Sequence, residues 1–251
     1  MSPSFERIAD TYDETRGGVD RGRRFALELH TLLDPAKSVV EIGAGTGVVA
    51  TGLQEMGHRI AGFDLSEGML RRARRRVGPR VAVADARRLP LADGSVDQAL
   101  SVWVLHVVGD IRAVLREVAR ILRPGGRYLV VPAMAVRPGD PLGGLIWEME
   151  QRLDPRGRRR DDEDSLRGLA PAAGLRVVES REWHPHAYDE SPIQVLRKLE
   201  TRSYSVLWDI TEEQWRDVVV PIIEAVRALP DPDRPISRGV VGRVIVLERE
   251  A

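Results

Sequence analysis

The segment Glu41-Ile42-Gly43-Ala44-Gly45-Thr46-Gly47 is the stretch of the chain best equipped to hold a ligand. It follows a short apolar run, 38–42, and opens a helical pattern over 48–55. Glycines there let the backbone turn sharply and let a ligand approach the main chain closely. The spacing departs from the dinucleotide fingerprint G-x-G-x-x-G: the third glycine comes one position early, Val48 holds the expected place, and an acidic residue leads the motif. Two more carboxylates stand at equivalent points, Asp64 closing the apolar run 58–63 and Asp85 closing 80–84. In an open parallel sheet, ligands bind outside the carboxyl ends of the strands, so these acids would line one crevice with the glycine turn. A carboxylate so placed can accept from ribose hydroxyls or from an exocyclic amine.

Positioning those groups requires strands that alternate with helices. After helical patterns at 5–12 and 23–33, broken by Gly17-Gly18, strands are predicted at 38–42, 58–63, 80–84, 96–102 and 127–131. Helices are predicted between them at 48–55, from the plausible N-cap Ser66 to 77, and at 111–122, with a hard turn at Pro124-Gly125-Gly126. Crossover helices of this length imply parallel pairing, and the runs VVEI, ALSVWV and YLVV suit strands covered on both faces. Further on, a helical piece is predicted at 145–153, a short helix at 165–173, a strand at 175–183, helices at 193–205 and 212–228, and a last strand at 240–248. The expected fold is α/β: a Rossmann-like, doubly wound sheet, mostly parallel with an antiparallel last strand, plus helical lid insertions. The expectation is one domain over 1–251, with an N-terminal helical lid at 1–33, a core at 34–133, and insertions at 134–165 and 184–236.

Composition narrows the partners. The 251 residues are 43% hydrophobic and 30% charged, which suits a globular chain with a sizeable core. Lys plus Arg and Asp plus Glu are 38 each, so the chain lacks the basic footprint of a protein that coats nucleic acid. There is no cysteine, which excludes disulfides, thiolate metal sites and cysteine nucleophiles. The start carries charges of both signs and no apolar signal core, and no run approaches the roughly 18 apolar residues of a membrane span, so the reading is a soluble, cytoplasmic protein. Lys37 and Lys198 are the only lysines and asparagine is absent, which points to codon bias. The Arg71–Arg76 cluster therefore reads as a solvated helix face, and the acidic run 161–164 as acids at a helix start.

Glu41–Gly47, Asp64, Asp85 and the Leu122-Arg123-Pro124-Gly125-Gly126 turn together resemble a class I S-adenosylmethionine-dependent methyltransferase, most closely the UbiE-like, type 11 small-molecule branch. ERIADTYDETRG, GFDLSEGML, VADARRLPLADGSVDQAL and LREVARILRPGG occur in the matching order, so the resemblance covers 5–132. It implies S-adenosyl-L-methionine as cofactor. Gly43, Ala44 and Gly45 would face the methionine part through their backbone, with Glu41 beneath the turn. Asp64 would bind the ribose hydroxyls, Leu65 and Met69 would lie against the adenine, Asp85 would take its amino group, and the Ala86 N–H would meet a ring nitrogen. The main chain at Ser101 would approach the methionine ammonium, and Tyr12 and Arg16 would close over the methionine end.

A sulfonium methyl group is already activated, so alignment and desolvation dominate, and a base matters only when the acceptor loses a proton. His106, just past the fourth strand, is the first candidate for that base, and Tyr12 could pair with it. The alternative is a packing role at the top of the sheet. Trp103, Trp147 and Trp183 could line an aromatic acceptor pocket, or simply pack in the core. His184 and His186 flank Pro185 without an evident third ligand, so no metal is expected, and His184 is read as a substrate contact. The expected partner is a small molecule, an aromatic or natural-product metabolite, with no nucleic acid and no membrane, the chain being a monomer or homodimer. RNA or protein methylation, and a non-catalytic cofactor-binding role, are the competing readings.

Overall fold

The structure is a computed structural model that describes all residues except 1–4, 7–8, 11, 134, 137–138, 155–160, 184–187, 239 and 251. The chain divides into two compact units, one of 1–133, 159–183 and 243–251, the other of 134–158 and 184–242.

The first unit holds the parallel sheet. Its strands are β1 Ser38–Ile42, β2 Arg59–Asp64, β3 Val81–Val83, β4 Val96–Val102, β5 Leu122–Val131, β7 Leu175–Trp183 and the end of β10, Val240–Arg249. The order is β3-β2-β1-β4-β5-β10, with β7 also paired to β10. Pairs β1–β2, β2–β3, β1–β4 and β4–β5 are parallel, and β10 runs antiparallel to β5. This is the expected Rossmann-like arrangement. Because β1 is flanked by β2 and β4, the chain reverses its winding direction there, and in such sheets the ligand crevice opens at that switch point.

Helices cover the sheet for readable reasons. In α5, Ile111–Ile121, the residues Ile111, Val114, Leu115, Val118 and Ile121 fall on one helical face and are buried, while the Asp110 carboxylate accepts from the Ala113 N–H at the start. The helix α4, Glu67–Val77, is capped by Ser66, whose Oγ accepts from the Met69 N–H. The helix α2, Gly18–His30, lies tight on α3, Val48–Glu55: a Cβ on Gly22 would stand 2.4 Å from the Val48 carbonyl oxygen. That close approach fixes the first turn of α2, which carries Arg21.

Four features differ from the sequence expectation. The helical pattern expected over 5–12 is broken: Phe5 and Glu6 are helical, residues 9–10 form a turn, and a short helix α1 stands at Tyr12–Thr15, with Ile8 outside the described residues. The Pro124-Gly125-Gly126 turn is taken into β5 as a bulge, since pairing steps from Val96↔Leu122 to Gln98↔Arg127. The arginines of α4 are not merely solvated. Arg71 approaches Glu6, Arg72 Asp10 and Arg76 Asp13, so they bind the N-terminal segment to the core. Asp161 does not behave as a helix-start acid: Asp162 caps α7, Glu163–Leu169, while Asp161 is 1% exposed.

The second unit has its own core, in which Leu142, Ile146 and Met149 of α6, Pro141–Leu153, join Val195 and Leu199 of α8, Pro192–Glu200, and Ile222, Ile223 and Val226 of the chain's last helix, Val220–Arg227. The helix expected at 212–228 is interrupted by a π-turn at Trp215–Val219. A short strand, β6 Ala135–Val136, pairs antiparallel with Val240 and Val241 of β10. A two-stranded antiparallel pair, β8 Tyr188–Glu190 with β9 Ile236–Arg238, lies where no strand was expected. No helix among the described residues is long and apolar enough to cross a membrane.

Candidate active site

The tips of β1 and β2 are tied together by the glycine turn itself. The Gly43 and Ala44 N–H groups both donate to the Phe63 carbonyl, at 2.7 and 2.9 Å, and the Gly45 N–H donates to Asp64 Oδ2 at 2.8 Å. The Gly47 N–H donates to the Ala44 carbonyl. These donors are spent internally, so the turn offers an anion no cluster of free N–H groups. It offers close main-chain approach instead. Gly43 has φ 73°, and a Cβ there would meet Val104 Cγ2 at 2.3 Å; Gly45 has φ 54° and open space where a Cβ would point. Glycine alone meets the steric demand at the first and adopts the backbone of both without strain.

Asp64 serves the turn with both of its carboxylate oxygens. Its other oxygen accepts from the Ser66 N–H at 2.8 Å. Burial pushes its carboxyl up, opposed by the hydrogen bonds from Ser66, Gly45 and Leu65. Beneath the turn Glu41 is 2% exposed, and its Oε2 has no hydrogen-bond partner. Burial, reinforced by the nearby Asp64 charge, pushes the Glu41 carboxyl up to about 8, so it is mostly neutral at pH 7.

Asp85 stands beside this pair. Asp64 is in register with Val83 on β3, and the Ala84 N–H donates to the Asp64 carbonyl at 3.0 Å. The strand ends that carry Asp64 and Asp85 are therefore immediate neighbours. Arg87 forks onto the Asp85 carboxylate, Nε to Oδ1 at 2.9 Å and Nη2 to Oδ2 at 2.6 Å, and these bonds hold that carboxyl below its ordinary range. Ala86 and Leu65 are accessible at the same edge, whereas Met69 is buried at 1%.

The tip of β4 forms the other side. Ser101 is buried and its hydroxyl is engaged with Tyr128 OH at 2.7 Å, which leaves only its main chain for a ligand. Trp103 has φ 58°, a strained conformation for a bulky residue, and its indole N–H has no partner. Phe25 packs edge-on against both Trp103 and Trp183, with ring centroids 5.2 and 4.7 Å apart, so Trp183 belongs to this aromatic cluster. His106 lies in the 3₁₀ turn Leu105–Val107; Asp161 faces it. Trp147 is 41% exposed in the second unit, and His184 and His186 lie outside the described residues.

Two residues that sequence reasoning missed join the site. Arg21 lies over the Trp103 ring at 4.6 Å and by the Tyr12 ring at 5.8 Å, while Arg16 approaches the same Tyr12 at 5.9 Å. Arg21 Nη1 is buried without a hydrogen-bond partner, and burial, assisted by the Arg16 charge, depresses its pKa against the favourable influence of Tyr12. The second is Asp161. Neither carried a sequence signal: Arg21 is one of many arginines, and Asp161 is one of four consecutive acids.

A doubly wound sheet with an antiparallel terminal strand, a glycine turn after β1 and an acid at the end of β2 defines the class I S-adenosylmethionine-dependent methyltransferase architecture. Residues 40–130 match the family model described as a methyltransferase domain, type 11. The chain is 36% identical over 164 residues to demethylmenaquinone methyltransferase of Corynebacterium efficiens, covering 63% of this chain and 70% of that relative. It is 39% identical over 130 residues to the enzyme of the same name from Corynebacterium kroppenstedtii, covering 50% of this chain and spanning just 56% of that relative's length. Among solved structures, an S-adenosylmethionine-dependent methyltransferase of Thermotoga maritima has the same fold, with a TM-score of 0.58 at 22% identity and 100% coverage of both chains. The chain belongs to the UbiE-like branch of this family, whose cofactor is S-adenosyl-L-methionine.

The residues present fit that cofactor. The open cradle at Gly45 admits a ligand against the main chain, the spent N–H groups disfavour a pyrophosphate, and the buried Arg21 Nη1 is a donor without a hydrogen-bond partner.

Proposed function

We propose that the protein transfers a methyl group from S-adenosyl-L-methionine to a small, flat, aromatic acceptor that gives up a proton, a quinol nucleus being the first to try. The observation that carries this reading is the convergence of the Gly43–Gly47 turn, Asp64 and Asp85 on neighbouring strand ends of one sheet. The demethylmenaquinone methyltransferase relatives favour the quinol nucleus.

When bound, S-adenosyl-L-methionine supplies a methyl group on a sulfonium, an electrophile that needs no further activation. Asp64 accepts from the ribose hydroxyls through lone pairs left free by the Gly45 and Ser66 N–H groups. Asp85 and the Ala86 N–H read the adenine edge, with Leu65 against its face. The main chain at Gly43, Ala44, Gly45 and Ser101 borders the amino-acid end, and Arg16 and Arg21, both beside Tyr12, receive its carboxylate. Trp103 supplies a flat wall, and its free indole N–H a hydrogen bond, for the acceptor. His106 takes up the acceptor's proton as the new bond to carbon forms and the sulfur–carbon bond breaks, and later releases it to water.

Calorimetry with S-adenosylhomocysteine tests the cofactor half of this reading. One-to-one binding is expected, and no heat at millimolar ligand defeats it. Methyl transfer to a reduced naphthoquinol tests the acceptor half, in which transfer only to RNA or protein would overturn the small-molecule assignment.

A further inference from the structure

Asp161 is a buried acid that pairs with no lysine or arginine among the described residues. It is 1% exposed, and neither of its carboxylate oxygens has a hydrogen-bond partner. An ion in that position is costly unless something pairs with it. Its neighbours satisfy helix α7: Asp162 caps it, and Glu163 reaches Ser180 and Arg167. Asp161 turns away from that work. Its Oδ2 lies 3.7 Å from Nδ1 of His106, and that nitrogen is itself buried without a partner. The His106 side chain is 13% exposed, so the solvent it meets is met by the rest of the ring and not by Nδ1.

The described surroundings hold no competing cation. Tyr128 is the other group that feels Asp161; it is fully buried, its hydroxyl is bonded to Ser101, and burial with the Asp161 charge keeps it a neutral phenol. Among the described residues no lysine or arginine forms an ion pair with Asp161. His106 is thus the one group among them that can answer its charge. Its turn also abuts the glycine loop, since Val104, two residues before it, blocks any side chain at Gly43.

We propose that Asp161 is the positioning residue for His106: it holds the imidazole proton on Nδ1, leaves the Nε2 lone pair for the acceptor's proton, and pairs with the imidazolium once that proton has arrived. The tautomer of a histidine is set by what its other nitrogen bonds, which gives the carboxylate a role without contact to substrate. At 3.7 Å the two groups are an ion-pair approach and not yet a hydrogen bond, and such contacts tighten as a catalytic site fills. The proton balance is closed: the acceptor's proton passes to Nε2 as its bond to the methyl carbon forms, and it leaves to water after product departs. The proposal rests on the methyltransferase reading for the identity of the proton donor, but its geometric content does not.

Nitrogen NMR of the full chain with labelled histidine tests it, recorded at about pH 8.5, some two units above an ordinary histidine. The His106 signals are those lost in His106→Gln. The expected result is an Nδ1–H tautomer in the wild-type protein, and loss of that preference in Asp161→Leu, with S-adenosylhomocysteine affinity unchanged within about twofold. An Nε2–H tautomer in the wild-type protein overturns the proposal whether or not the variant folds. So does an Asp161→Leu protein whose tautomer is unaltered. Absence of S-adenosylhomocysteine binding by the wild-type protein, with the Nδ1–H tautomer present, would instead defeat the methyltransferase reading and leave the pairing of the two residues standing.

Discussion

The two sides of the site treat their polar groups in opposite ways. Around the glycine turn the named donors are engaged: Gly43 and Ala44 with the Phe63 carbonyl, Gly45 and Ser66 with Asp64. At the tip of β4, on α2 and just before α7, the Trp103 indole, Arg21 Nη1, His106 Nδ1 and the Asp161 carboxylate are buried without a hydrogen-bond partner. Apart from Glu41 Oε2 beneath the turn, the first side has these polar groups engaged before a ligand arrives, and it selects by shape. The second carries polar demand that costs stability until a ligand or a proton answers it. Stability and function should therefore be linked on the first side and opposed on the second.

The largest effect is expected at His106. Replacement by alanine should cut turnover by about 10²-fold or more, the usual worth of a general base, while S-adenosylhomocysteine affinity holds. Turnover at the wild-type level would return His106 to a packing role. Next comes Asp64. Asp64→Ala removes a charged acceptor and frees the Gly45 N–H, so affinity measured by calorimetry should fall about 10- to 100-fold, on the scale of charged hydrogen bonds. Unchanged affinity would take Asp64 out of the site.

Arg21 separates the two sides most sharply. Arg21→Met keeps the stem over Trp103 but removes the buried charge, whose Nη1 has no hydrogen-bond partner. Affinity for S-adenosylhomocysteine should drop by about tenfold while thermal stability of the free protein stays level or rises, the pattern of a functional group retained at a stability cost. A parallel loss of both would make Arg21 structural.

The smallest effect concerns Glu41. Its folded-state carboxyl titrates at about 8 instead of the ordinary 4.5. Below the ordinary value both folded and unfolded chains hold the proton. Between there and about 8 only the folded chain does, so stability falls as pH rises through that window and levels above it. Glu41→Gln should flatten this slope and raise the melting temperature at pH 8 by roughly 2–5 °C. Parallel melting curves for the two proteins across that range would show that Glu41 is not the group responsible.

What was legible in the sequence follows the same division. Strands bounded by turns, β4 at Val96–Val102 and β7 at Leu175–Trp183, stand where the sequence pattern places them, and the Ser66 cap forms as its residue type suggests. The turn and the strand-end acids were legible because local spacing encodes them. Residues that depend on distant partners were not. The β8 and β9 strands are three residues each and meet across a long stretch of chain, too short to carry a period of two. The bulge in β5 hides behind a Pro-Gly-Gly run that reads as a plain turn. Asp161 is indistinguishable from Asp162 until the fold buries one and turns the other's carboxylate to a helix end. The arginines of α4 were discounted as a compositional bias, yet Arg76 reaches both Asp13 and the Thr46 carbonyl.

The central claim is that adjacent strand tips form one cofactor cradle. Titrating S-adenosylhomocysteine into nitrogen-labelled protein and following backbone amides tests it directly. Shifts should concentrate at Gly43–Gly47, Asp64–Ser66 and Asp85–Arg87, saturating together at one equivalent. Saturable shifts confined to other segments, α8 for example, with those three silent, would contradict it.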